Sequence, residues 1–262
     1  MNKQEQLQTI KENVPKVNNA GKKDGYDEGY TAGKAEGGNY YDEFWDSCQD
    51  NGNRVNYDKA FAGIGWNDTT FKPKYTMSPT NASTMFRASK ITNLKKILAD
   101  CGVELDFSKI TNGIYCSDTF RESDVTDLGI VDVSSVNNVY GLFYQARKLV
   151  NVEKVILASD GSVKMPADNF SGVNKLKEIR FEGLIASSIG FKECPLSVDS
   201  MIDIIEHLKS NWAGEQSLTQ TITFSDSCWN ALENSGRKPA DADENFWTWR
   251  DYIESHLGWI TA

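Results

Sequence analysis

Phe170-Ser171-Gly172-Val173-Asn174-Lys175-Leu176-Lys177-Glu178-Ile179 states the pattern on which the middle of the chain is built. An aromatic residue opens it, polar residues follow, and two apolar residues three apart close it. The same phrase runs from Phe86 to Ile91 and Leu94, from Phe120 to Val125 and Leu128, and from Phe143 to Leu149 and Val152. The phenylalanines at 86, 120, 143, 170 and 191 follow one another at steps of 34, 23, 27 and 21 residues. Steps of that size mark units too small to bury their own apolar face, which therefore stack on their neighbours. The expectation is an α+β chain: a short leucine-rich-repeat-like β solenoid with an N-terminal helical segment and an α/β C-terminal cap. Such a stack offers a surface for holding a partner rather than a pocket for chemistry.

Working outward, strands are expected at residues 103–107, 128–133, 152–158 and 176–181. Ser159-Asp160-Gly161-Ser162 reads as a turn between 155–157 and 163–165, a hairpin inserted in one repeat. Pro195 and Ser197 introduce an amphipathic helix over 198–209, with Met201, Ile204, Ile205 and Leu208 on its apolar face. The repeats thus occupy residues 84–212. An acidic cap follows at 213–262, with a strand at 218–224, a helix from Ser225, a second helix ending at Leu257 and a last strand near Ile260.

Ahead of the repeats lie two further segments. In residues 1–38, Leu7, Ile10, Val14 and Val17 have the spacing of an amphipathic helix seam, interrupted by Pro15. Glycine then recurs at every fourth position: Gly21, Gly25, Gly29, Gly33 and Gly37. Each interior glycine costs a helix about 1 kcal/mol relative to alanine. The segment is either a polar linker or a glycine-ridged helix that another backbone approaches closely, most simply a second copy. Leu7, Ile10, Val14, Gly21, Gly25, Gly29 and Gly33 are the candidate assembly interface. Residues 39–83 are dense in aromatics. Trp45, Tyr57, Trp66 and Tyr75 either line a carbohydrate-binding surface or belong to the core of a cap over the first repeat.

Charge narrows the partners. Net charge is −9 over 262 residues, and residues 213–262 hold eight acids against three bases. No basic patch is dense enough to track phosphates, so nucleic acid is not an expected partner. No run is long and apolar enough for membrane insertion, and the opening residues lack the apolar core of a secretory signal. Five scattered cysteines without CxxC spacing read as small buried residues of a reducing compartment.

Chemistry finds little foothold in the sequence. His207 and His256 are the only histidines and lack a second ligand at helical spacing, so no metal site is expected. Asp241-Ala242-Asp243-Glu244-Asn245 begins like a calcium loop, but Phe246 stands where the turn needs glycine. No hydrolase elbow, phosphate loop or dinucleotide loop is present. No catalytic residue and no cofactor is expected.

Several stretches resemble proteins of tailed phages and prophages of gut Firmicutes. They are Val14-Pro15-Lys16-Val17, Ala20-Gly21-Lys22-Lys23, Tyr41-Asp42-Glu43-Phe44-Trp45-Asp46, Gln49-Asp50-Asn51-Gly52, Ala60-Phe61-Ala62-Gly63 and Phe71-Lys72-Pro73-Lys74-Tyr75. In that family such a head precedes repeats of the BspA type, and Leu196-Ser197 through Thr221-Ile222-Thr223-Phe224 is similar to its closing segment. The family's usual phrase after the aromatic survives only loosely, as Phe191-Lys192-Glu193-Cys194. The resemblance implies a non-enzymatic virion component of tail, baseplate or fibre, made in the host cytoplasm and released by lysis. Its partners would be other virion proteins, further copies of itself, and a host cell-surface protein or glycan. The alternatives are a bacterial surface adhesin of the leucine-rich-repeat type, which predicts export signals or a wall anchor, and a glycan-binding or glycan-degrading tail enzyme, which needs a carboxylate pair across a groove.

Overall fold

The computed structural model describes residues 56–63, 65–210, 220–239 and 248–262. Its regular elements are α1 (Leu94–Cys101), β1 (Asp127–Asp132), β2 (Asn151–Ile156), β3 (Glu178–Glu182), β4 (Ile189–Phe191), α2 (Val198–Glu206), β5 (Thr221–Phe224), α3 (Asp226–Glu233), α4 (Trp249–Asp251) and β6 (Ile260–Thr261). A π-helical turn, Tyr252–Leu257, continues α4. The strands form two parallel three-stranded sheets, ordered β1-β2-β3 and β4-β5-β6.

The phenylalanines of the sequence phrase form the spine. Ring centroids of Phe61, Phe86, Phe120, Phe143, Phe170, Phe191 and Phe224 follow one another at 5.2, 5.5, 6.0, 5.4, 4.5 and 5.9 Å, each ring offset-stacked or tilted on the next. All seven are buried. Burying one such ring stabilises by about 1.5–3 kcal/mol, and each aromatic pair adds about 0.5–1.5 kcal/mol. The two closing apolar residues join this core through the first sheet. Leu128, Val152 and Ile179 pair in register, as do Val131, Val155 and Phe181, and all six face inward.

At each of the first turns the backbone adopts one repeated conformation. Residues two before and two after the phenylalanine take left-handed φ: Lys59 and Gly63 around Phe61, Thr84 and Ala88 around Phe86, Asp118 and Glu122 around Phe120, Gly141 and Gln145 around Phe143. Alternating left- and right-handed residues point alternate N–H groups the same way. Thr84, Phe86 and Ala88 accordingly donate to the carbonyls of Ser117, Thr119 and Arg121, while Asp118, Phe120 and Glu122 donate to those of Tyr140, Leu142 and Tyr144. Six non-glycine residues in this region carry a strain of about 1–2 kcal/mol each, which the inter-turn hydrogen bonds offset.

Helices close the edges of the first sheet. Asp68, from the preceding turn, accepts the Thr92 N–H at 2.6 Å and the Asn93 N–H at 3.3 Å, fixing the entry to α1. The helix lies against β1 and ends at Gly102, whose φ of 65° turns the chain away. On the opposite edge, α2 is capped by Ser197, whose hydroxyl accepts the Ser200 N–H at 3.2 Å. This helix occupies the place beside β3 where a fourth strand would pair. Ser200 Oγ accepts the Ile179 N–H at 3.0 Å, and Asp203 Oδ2 accepts the Phe181 N–H at 2.7 Å.

The expected leucine-rich-repeat-like β solenoid is therefore corrected to an α+β structure with two small sheets instead of one continuous array. No regular strand forms at 103–107, where only Leu105 pairs, in a single parallel bridge with Met77. The hairpin expected around 159–162 does not form, because Lys164 pairs in parallel with Asn138 rather than folding back on β2. The array and the cap are not separate sheets either: β5 and β6, from the expected cap, complete a sheet that begins with β4. The amphipathic helix expected at 198–209 forms over Val198–Glu206. The N-terminal helical segment and the calcium-like stretch at 241–245 lie outside the described residues.

Candidate functional site

The assembly residues Leu7, Ile10, Val14, Gly21, Gly25, Gly29 and Gly33 lie outside the described residues, as does Trp45. Tyr57 and Trp66, read as candidate surface aromatics, are buried at 4% and 1% exposure. They pack on Phe61, with Phe61 also edge-on to Phe71, so these two are core and not a binding platform. Tyr75 is half-buried.

The large apolar side chains that are exposed lie elsewhere, Ile130 and Ile260 among them at 50% and 42%. Ile114, Tyr115 and Tyr140 are 66%, 43% and 50% exposed. The 3₁₀ turn Gly113–Cys116 carries the first two, started by Asn112, whose side chain accepts the Ile114 N–H at 3.1 Å. That turn lies directly over the next one: a Cβ on Gly113 would sit 1.5 Å from the Asn138 carbonyl oxygen. Tyr140 is positioned by its own carbonyl, which accepts the Asp118 N–H at 3.0 Å. Ile114 and Tyr115 are thus mounted on backbone packed closely against the next turn.

A shallow cavity of about 380 Å³ between the Phe120 and Phe143 turns is lined by Glu122, Ser123, Asp124, Gln145, Arg147 and Lys148. Asp124 accepts from Lys148 Nζ at 2.9 Å and lies 3.2 Å from Lys90 Nζ. Partial burial alone would raise its carboxyl, but the two lysines outweigh that and hold it below the usual aspartate value. Glu122 accepts from Arg121 Nε at 3.1 Å, and the Arg121 guanidinium lies 4.9 Å from the Tyr144 ring centre. Gln145 Nε2 donates to the Tyr144 hydroxyl at 3.3 Å.

Cys101 is an exposed free thiol, whereas Cys116, Cys194 and Cys228 are buried. Burial pushes the Cys116 thiol up to about 12 and raises that of Cys194 as well, so neither is a ready thiolate near neutral pH. His207 Nδ1 lies 2.7 Å from the Asp203 carbonyl, and His256 stacks on Tyr252 at 4.9 Å. Among the described residues no group of three or more potential metal ligands occurs, and no helix is long and apolar enough to cross a membrane.

No protein-family model, curated protein or solved structure matches the chain.

Neither surface feature was singled out from the residues alone. Tyr115 and Tyr140 stand 25 positions apart, and Asp124 and Lys148 stand 24 apart. A signal did exist: both separations are close to the 23-residue step from Phe120 to Phe143.

Proposed function

We propose that the chain is a non-enzymatic structural protein of a phage virion, in its tail, baseplate or fibre. It presents the face carrying Ile114, Tyr115 and Tyr140 to a neighbouring virion protein or to the host surface. The observation that carries this reading is the mounting of those three exposed side chains on closely apposed turns. Aromatic side chains on rigid backbone lose little conformational freedom on binding, which makes them effective anchors. The sequence resemblance of the head segments supports placement in a virion, with residues 1–38 as the attachment device and Gly25, Gly29 and Gly33 at the contact between copies.

Two measurements test it. Mass spectrometry of purified particles from a phage or prophage encoding the chain should find it at a fixed ratio to the other structural proteins; its absence from particles overturns the reading. Light scattering should show the full chain as a defined oligomer and a chain starting at Asn39 as a folded monomer. Equal masses per particle would remove the assembly role of residues 1–38.

A further inference from the structure

Cys194 and Cys228 stand in successive turns of the stack, one beside the other. The residue three after each of five phenylalanines points into the core: Ser89, Ser123, Ala146, Val173 and Cys194 are all buried. Asp124, four after Phe120, reaches back with its N–H to the Ser89 carbonyl at 3.0 Å. Cys228, four after Phe224, makes the same contact with its side chain: Sγ donates to the Cys194 carbonyl at 3.3 Å. The two turns are held together by β4 and β5, which pair in parallel with Phe191 opposite Phe224. Paired strands lie about 4.8 Å apart, within the separation of about 4.4–6.8 Å between Cα atoms that a disulfide spans. Both thiols are free. Burial raises the Cys194 thiol most and Cys228 adds to it, so the two sulfurs sense each other across the core. The other described cysteines are placed differently: Cys101 is exposed at the end of α1, and Cys116 donates its thiol to the Gly113 carbonyl of its own turn at 3.2 Å.

We infer that Cys194 and Cys228 are a latent disulfide, a staple that closes between the Phe191 turn and α3 when the reduced chain meets a disulfide oxidant. The inference goes beyond the virion role and does not depend on it; release from a reducing cytoplasm is the change of surroundings under which the staple closes. Closure waits for the first turn of α3 to lift, because both thiols are buried and Cys194 resists ionisation. With oxidised glutathione, the Cys228 thiolate attacks one sulfur of the oxidant, and one glutathione leaves as its thiolate. The Cys194 thiolate then attacks the Cys228 sulfur of the mixed disulfide and expels the second glutathione. The pair gives up two protons and two electrons, and the oxidant ends as two molecules of reduced glutathione. The closed loop ties β5 and α3 to the Phe191 turn and restricts the unfolded chain.

The test is incubation of the full reduced chain with oxidised glutathione near the ordinary thiol pKa of about 8.5, with and without urea below the unfolding midpoint. Peptide mapping by mass spectrometry should find Cys194 joined to Cys228, and urea should speed the appearance of that link. The oxidised chain should gain about 5 °C or more in thermal midpoint, a gain reversed by dithiothreitol. Cys194→Ala and Cys228→Ala should each abolish both the link and the gain, while Cys101→Ser should change neither. Three results would each overturn the inference: no link between Cys194 and Cys228 even in urea, either residue joined mainly to another cysteine or to glutathione, or a link that leaves the midpoint unchanged or lower. None of them bears on the composition of particles, so the virion reading stands or falls separately.

Discussion

Asp203 Oδ2 accepts the backbone N–H of Phe181 at 2.7 Å, so a side chain of α2 takes the hydrogen bond that a fourth strand would have taken from β3. Ser200 does the same for Ile179 at 3.0 Å. An open edge of this kind templates pairing with another chain, and covering it with a helix removes that hazard. Asp203→Ala should therefore cost about 1–3 kcal/mol, the usual result of leaving a buried N–H unpaired. Asp203→Asn, which keeps an acceptor oxygen, should cost less. Urea unfolding of the two variants checks the order; equal losses would mean that charge, through Arg180 at 3.6 Å, dominates instead.

Asn169 is fully buried and spans two turns. Its Oδ1 accepts the Leu142 N–H at 2.8 Å, and its Nδ2 donates to the carbonyls of Val139 and Pro166 at 2.8 and 2.9 Å. Asn169→Leu keeps the branched shape, adds bulk and removes all three bonds, so a loss above about 2 kcal/mol is expected in urea unfolding. Asn174→Ala, at an exposed position one turn on, is the control and should change stability by no more than about 0.5 kcal/mol.

Ala88 has a φ of 55°, a conformation that costs a residue with a Cβ about 1–2 kcal/mol. Glycine escapes that strain but gives up more entropy on folding, by about 0.5–1 kcal/mol. Ala88→Gly should accordingly raise stability slightly, by about 0.5–1 kcal/mol. A midpoint shift to higher urea supports the alternating-turn geometry, and a shift to lower urea would contradict it.

That geometry also explains how much of the structure could be read beforehand. The aromatic period was legible because stacking demands a large apolar residue at every step, and the rings do stack. The turn conformation was not legible, because Thr84, Ala88, Asp118 and Glu122 hold left-handed positions that glycine usually advertises. The strand expected at 103–107 shrinks to the bridge of Leu105 to Met77, directly after the helix that Gly102 ends with its N–H on the Ala99 and Leu98 carbonyls. The division into two sheets depends on α2 offering Ser200 and Asp203 to β3, a contact between residues about 20 positions apart that no periodicity encodes. Of the candidate aromatics, Tyr57 and Trp66 were indistinguishable in sequence from exposed ones, since burial there is decided by their packing on Phe61.

Stability should be insensitive to pH above about 5 and fall as the solution is acidified. Burial opposes ionisation of Asp124, Asp68 and Asp106, yet hydrogen bonds hold all three below the ordinary aspartate value: from Lys148 and Lys90, from Thr92 and Asn93, and from Ser108 and Ser78. Each group therefore contributes stability that is complete above the unfolded-state value of about 3.9 and is lost as pH falls through the lower folded-state value. Unfolding midpoints measured from pH 7 down to pH 2 should show that acid limb. Asp68→Asn should flatten it, and an unchanged limb in that variant would remove Asp68 from the account.

Gly113 offers the sharpest test of how the exposed cluster is mounted. Its φ is not left-handed, so alanine meets no backbone penalty there, but the added Cβ would lie 1.5 Å from the Asn138 carbonyl oxygen. Backbone on both sides must separate, and overpacking of that kind costs about 1–3 kcal/mol or more. Gly129→Ala is the matched control: nothing lies within 4 Å of its added Cβ, and it sits in β1, where losing glycine is neutral or stabilising. Gly113→Ala should lower the thermal midpoint and, by lifting the Gly113–Cys116 turn, weaken any partner bound through Ile114 and Tyr115. Ile114→Asp should weaken the same partner with the midpoint unchanged. If Gly113→Ala lost stability while partner binding stayed intact, the cluster would not be the contact surface.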